Sequence, residues 1–213
     1  MTAPRWLLAC GVAGPVLFVV AFLVEGATRA DYDPLRHPVS ALALGDLGWT
    51  QVTNFVVTGL LVLALAAGLR GHGLWPPLLL ALVGLGLIGA GIFPTDPVGD
   101  YPPGVPAGDT ATGNLHNAFS LPVFVALPGV CCVLAYRFAT SDRLRLAAYS
   151  VLTAVAMLAL FVLAGLGFSG DPGFTALGGL MQRLSLVTGF AWLVFLAVHE
   201  LRLRASSDRV PAG

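Results

Sequence analysis

Lysine is absent from this sequence and charge of either sign is scarce, with eleven arginines set against eleven acids in 213 residues. Charged residues make up 10% of the chain, where a soluble domain carries about 25%. The formal net charge is zero, so nothing in the electrostatics points to nucleic acid. There are three cysteines, Cys10, Cys131 and Cys132, all inside apolar runs, which excludes a disulfide framework. Leu7-Leu8-Ala9-Cys10 has the outline of a lipoprotein cleavage box, but the hydrophobic run follows the cysteine instead of preceding it. The sequence holds no phosphate-binding glycine loop, no haem-attachment motif and no acidic residue in the middle of an apolar run, where a proton-coupled transporter usually has one. No cofactor is expected. Arginine without lysine, alongside abundant Ala, Gly, Leu and Val, suggests a genome rich in G and C.

What is present is apolar length. Hydrophobic residues make up 57% of the chain, and the mean hydropathy is +0.86. A helix needs about 20 apolar residues to cross the hydrocarbon core of a bilayer. Trp6–Val24, Thr50–Leu69, Leu74–Phe93, Leu115–Tyr136 and Ala148–Phe168 meet that length, and Ala176–Val198 does so with Arg183 as its one interruption. No small-residue cleavage site follows the first run, so it reads as a span and not as a signal peptide. Lipid offers an open backbone no hydrogen-bond partners, so the spans must be helical. The fold expected is all-α: a six-transmembrane-helix bundle forming one domain over residues 1–204, with a flexible cytoplasmic tail at 205–213.

The arginines orient it. With the N-terminus inside, the inner segments hold Arg5, Arg70, Arg137, Arg143, Arg145, Arg202, Arg204 and Arg209, and the outer ones only Arg29, Arg36 and Arg183. This predicts both termini in the cytoplasm of a cell-membrane protein. The inner connections are short, which predicts antiparallel packing of sequence neighbours. Gly84, Gly86, Gly89, Ala90 and Gly91 let another backbone approach the third helix, which is expected near the bundle centre. Exposed small-residue faces also leave self-association open.

Each odd-numbered helix is followed on the outer side by an Asp-Pro pair: Asp33-Pro34, Asp96-Pro97 and Asp171-Pro172. A polar cluster then precedes or opens the next helix: Arg36-His37-Pro38-Val39-Ser40, Asn114 through Ser120, and Gln182-Arg183-Leu184-Ser185. This outlines three helical hairpins, although Asp-Pro is also ordinary turn chemistry. The run from His37 to Gly45 is too short to span and reads as a re-entrant or interfacial segment, while Trp49 and Tyr101 read as interfacial anchors. Pro122 and Pro128 should kink the fourth helix.

Arg183 is the most informative side chain. It lies about 15 residues from the inner boundary, just below the outer interface, where an arginine is costly unless paired or hydrated. It is the candidate anion-binding group, with His37, Ser40, His116, Asp96 and Asp46 as further ligand-binding candidates on the same side. Snorkelling or a structural ion pair would explain the arginine equally. His37 and His116 with an aspartate would also suit zinc, though no fixed metal spacing is present and no metal is assigned. His72 and His199 fall on the opposite side.

Asp33-Pro34-Leu35-Arg36-His37-Pro38-Val39-Ser40, followed by Leu44-Gly45 and Trp49, resembles the signature of the family called domain of unknown function 998. Phe93-Pro94-Thr95-Asp96, Leu115-His116 and Gln182-Arg183 fit the same pattern, so the likeness runs over nearly the whole chain. The resemblance implies a prokaryotic multi-pass membrane protein and supplies no reaction. Three functions remain: binding or passing a small or lipid-like anionic ligand at an outer-facing pocket, metal-dependent hydrolysis within the membrane, or partnership in an assembly or sensory complex.

Overall fold

Hydrocarbon leaves a peptide N–H no acceptor except its own chain, and each apolar run here closes into a helix. The computed structural model describes residues 3–207. It contains α1 (Arg5–Thr28), α2 (Gly48–Gly68), α3 (Trp75–Ile92), α4 (Ala111–Thr140), α5 (Leu144–Phe168) and α6 (Gly178–Ser207). All six are long and apolar enough to cross a membrane, and the described residues form no β-strand. The protein is an all-α, multi-pass membrane protein. Helix α6 continues to Ser207, past residue 204, and the remainder of the expected tail, 208–213, lies outside the described residues.

The helices form a closed ring. Each packs chiefly on its sequence neighbours, and α6 returns to α1. Helix α3 therefore sits between α2 and α4, not at the centre expected of it. Its glycines serve lateral crossings: a Cβ on Gly59 would lie 2.6 Å from the carbonyl oxygen of Gly84, and one on Gly84 would lie 2.8 Å from that of Gly59. On the α4 side, a Cβ on Gly86 would come within 2.6 Å of the Phe119 carbonyl oxygen. Helix α4 runs through Pro122 and Pro128 without a break.

Aromatic rings fill the space within the ring of helices. Phe18 stacks on Phe190 at 4.9 Å and meets Phe22 edge-on at 5.5 Å, and Trp192 is fully buried. Two buried side chains are paired across helices: Trp192 Nε1 donates to Ser150 Oγ at 3.0 Å, and Ser185 Oγ donates to the Met157 carbonyl at 2.9 Å. All three cysteines are unpaired.

At the end of the bundle that carries the chain termini, Arg204 donates to the carbonyls of Ala3 and Gly68, and His72 pairs with Glu200 at 3.1 Å. The opposite end carries the long loops. There residues 39–43 form a short 3-10 turn with Val39, Ala41 and Leu42 buried. Trp49, expected as an interfacial anchor, stands 65% exposed at the start of α2. Tyr101 does not: it is 4% exposed, with its ring against Tyr32 at 5.2 Å and His37 at 5.3 Å, because the 93–110 loop folds back over the first loop.

Candidate functional site

Burying the 39–43 turn takes backbone carbonyls away from water, and the candidate arginine meets them. Arg183 is 6% exposed. Its Nη1 donates to the carbonyls of Pro34 (2.7 Å), His37 (2.9 Å) and Gly179 (3.0 Å), and its Nη2 donates to the Tyr32 hydroxyl. That hydroxyl in turn donates to the Pro38 carbonyl at 2.9 Å. Burial pushes the Tyr32 hydroxyl up to about 12, against the opposing pull of the Arg183 cation. A phenol held neutral remains a donor, so the clasp stays intact across the ordinary pH range.

His37 belongs to the same clasp. Its Nδ1 accepts from the Asp33 backbone N–H at 2.9 Å, so Nε2 carries the proton and donates to the Gly99 carbonyl at 2.8 Å. Both ring nitrogens are thus committed to loop backbone. The Asp-Pro motifs split into two kinds. Asp33 and Asp171 each accept from the N–H two residues on, at 2.9 Å, which is a local turn. Asp96 reaches across its loop instead: its carboxylate accepts from the Thr110 N–H (2.9 Å) and hydroxyl (2.8 Å), and Thr110 Oγ1 caps α4 by accepting from Gly113 N. Asp96 thereby sits at the positive end of the α4 dipole. Asp46 is exposed in the turn before α2.

His116 is positioned by the end of α3. The Ala90 carbonyl would normally accept from residue 94, but Pro94 has no N–H. His116 Nδ1 meets that carbonyl and the Phe93 carbonyl, both at 2.9 Å. Carbonyls only accept, so Nδ1 bears the hydrogen and the neutral ring presents Nε2 as a lone-pair acceptor.

Beside His116 lies a cavity of about 580 Å³, within the range of small-molecule sites. Its depth is aromatic and aliphatic, with Phe18, Phe55, Leu87, Phe124 and Phe161 in the wall. Phe124 and Phe161 stack at 4.3 Å across the α4–α5 seam. Toward the long-loop end the lining turns polar: Ser40, Thr95, His116, Asn117, Ser120 and Gln182. Asn117, Ala118, Leu121 and Gly165 also line it while exposed on the outer faces of α4 and α5, Leu121 by 50%. The cavity therefore reaches the surface at the seam between these helices. Pro122 has no N–H to offer the Ala118 carbonyl, leaving an extra acceptor on that stretch of α4.

Of the residues expected to share one site, the structure brings Ser40 and His116 to this cavity. Arg183, His37, Asp96 and Asp46 are not in its wall. Among the described residues, no three His, Cys, Asp or Glu side chains gather as a metal-ligand group, so His37, His116 and an aspartate do not converge. Gln182, Asn117 and Ser120 belong to the polar clusters read from the sequence and were not singled out there. Thr95 and the α5 residues Phe161, Gly165 and Phe168 carried no sequence signal for a site, since apolar spacing on α5 looks the same whether it faces lipid or a lumen.

No curated protein and no solved structure is similar enough to the chain to count as a match. The family described as "Protein of unknown function (DUF998)" matches residues 12–199. The match covers nearly all of the six-helix ring, its clasp and its cavity, and the chain belongs to that family.

Proposed function

We propose that this protein binds a lipid-like amphiphile, which enters sideways from the bilayer between α4 and α5. The observation that carries this reading is the composition of the cavity along its length. An aromatic lumen suits a hydrocarbon chain, a polar rim at the long-loop end suits a head group, and the opening lies where lipid would reach it. The arginine bias supports an outer-leaflet position for that rim. The cationic residues stand aside from the cavity wall.

Gly165 supplies the test. It lines the cavity, and a Cβ placed there meets nothing within 4 Å. Gly165→Phe should fill the lumen without a backbone clash. Lipids retained by purified wild-type protein and by the variant would be compared by native mass spectrometry. A bound single-chain species in the wild type and its loss in a Gly165→Phe protein of unchanged melting temperature is the outcome expected. Equal retention by both would sink the reading.

A further inference from the structure

Six polar side chains line the cavity, and none of them is Asp, Glu, Lys or Arg. None of the cations nearest in sequence to the lining residues is in the cavity wall. Arg183 donates to three carbonyls and Tyr32, Arg36 pairs with Asp100 at 2.9 Å, and Arg29 pairs with Glu25 at 3.3 Å. A phosphate or carboxylate in this cavity would find no arginine to neutralise it, and an unpaired charge in an apolar lumen is strongly disfavoured.

Two rim groups have their free valence set by what holds them. His116 Nδ1 is tied to two carbonyls, leaving Nε2 with no protein partner among the described residues and a lone pair to offer. Gln182 Oε1 accepts from the Val39 backbone N–H at 2.7 Å, which fixes the amide orientation and leaves its two N–H donors. These two groups ask for one donor and one acceptor, while the hydroxyls of Ser40 and Ser120 can turn to serve either. A hydroxyl supplies both from a single oxygen. An ester carbonyl answers only the glutamine, and a phosphate dianion or carboxylate has no hydrogen for the imidazole.

We infer that the ligand class is a neutral, single-chain amphiphile ending in a hydroxyl, such as a long-chain alcohol or a monoacylglycerol. This rests on the amphiphile reading above and narrows it to one head-group chemistry.

The test holds the chain constant and varies the head. Full-length protein in detergent is titrated with hexadecanol, palmitate and hexadecyl phosphate, with binding read by native mass spectrometry and by melting temperature. The alcohol should bind at least about tenfold more tightly than either anion, roughly the free energy of one well-made hydrogen bond. Gly165→Phe should abolish its binding. Should that variant fail to fold, a hexadecanol bearing a diazirine at its chain end should crosslink to α4 or α5 in the wild type. Equal affinity for all three probes would overturn the hydroxyl assignment and leave a cavity that reads chains alone. Preference for either anion would overturn it too. Binding of none would remove the amphiphile reading with it, and alcohol labelling confined to other helices would place the ligand elsewhere and overturn the assignment.

Discussion

Arg183 and Tyr32 show how ionisable side chains can be held by loop backbone at the long-loop end of the bundle. The guanidinium fork serves several carbonyls at once, which a lysine ammonium on a flexible stem cannot reproduce. Arg183→Lys should therefore destabilise the protein by about 2 kcal/mol and Arg183→Ala by about 3, since buried acceptors lose their donors; thermal melting in detergent checks both. Tyr32 makes a pH prediction with a definite sign. Its folded value is raised to about 12 from 10.0, so its contribution is fully present below pH 10 and is lost as pH rises toward 12, because the folded state then binds more protons than the unfolded one. The loss amounts to about 3 kcal/mol. Melting temperature should fall across that window, and Tyr32→Phe should flatten the fall. At this scale the sequence was half legible. The cost of an arginine inside an apolar run marked residue 183 for attention, but which backbone carbonyls would be buried beside it depends on how the 39–43 turn folds inward, and no local pattern carries that.

At the scale of elements, the helices were legible because hydrocarbon thickness imposes a length on apolar runs. Their ends were less so. Helix α4 was expected over 115–136 and runs Ala111–Thr140, since a helix may continue into water once its apolar stretch has crossed, and here the Thr110 cap starts it early. Asp96→Ala removes the acceptor that holds Thr110 and should cost about 1 kcal/mol, the usual value of a lost cap interaction, with faster proteolysis of the 93–110 loop as a second readout. The α2–α3 crossing is stricter. A side chain on Gly59 or Gly84 would run into the carbonyl oxygen of the other as well as into Ile88 or Leu63, so Gly84→Leu should cost about 3 kcal/mol or more through overpacking and lower the yield of folded protein in size-exclusion chromatography. The glycines of α3 were legible as sites of close approach. Their placement in a ring was not, because small residues permit a crossing without naming the partner.

For the whole molecule, a ring without a central helix leaves its interior to side chains, and toward the long-loop end the filling is incomplete. That gap is where the cavity lies. Apolar faces toward lipid and toward a lumen have the same composition, which is why Phe161 and Gly165 were invisible as site residues while Ser40 and His116 were not. The arginine bias predicts the sidedness of the ring. In a variant whose native cysteines are replaced by alanine, Val105→Cys on the long-loop end should react with a membrane-impermeant maleimide on intact cells, and Ser141→Cys on the other end should react only after the cells are opened. The reverse pattern would turn the cavity toward the inner leaflet.

The seam between α1 and α6 joins the first of these six helices that a ribosome delivers to the last of the six. Until α6 emerges, the carbonyls of the 29–47 loop wait without the guanidinium that will hold them, and the aromatic interior faces lipid along one open side. Membrane insertion of the first five helices is thus separable in time from completion of the fold. A nascent chain halted after α5 should be an integral membrane protein already, yet one that surveillance proteases recognise and remove.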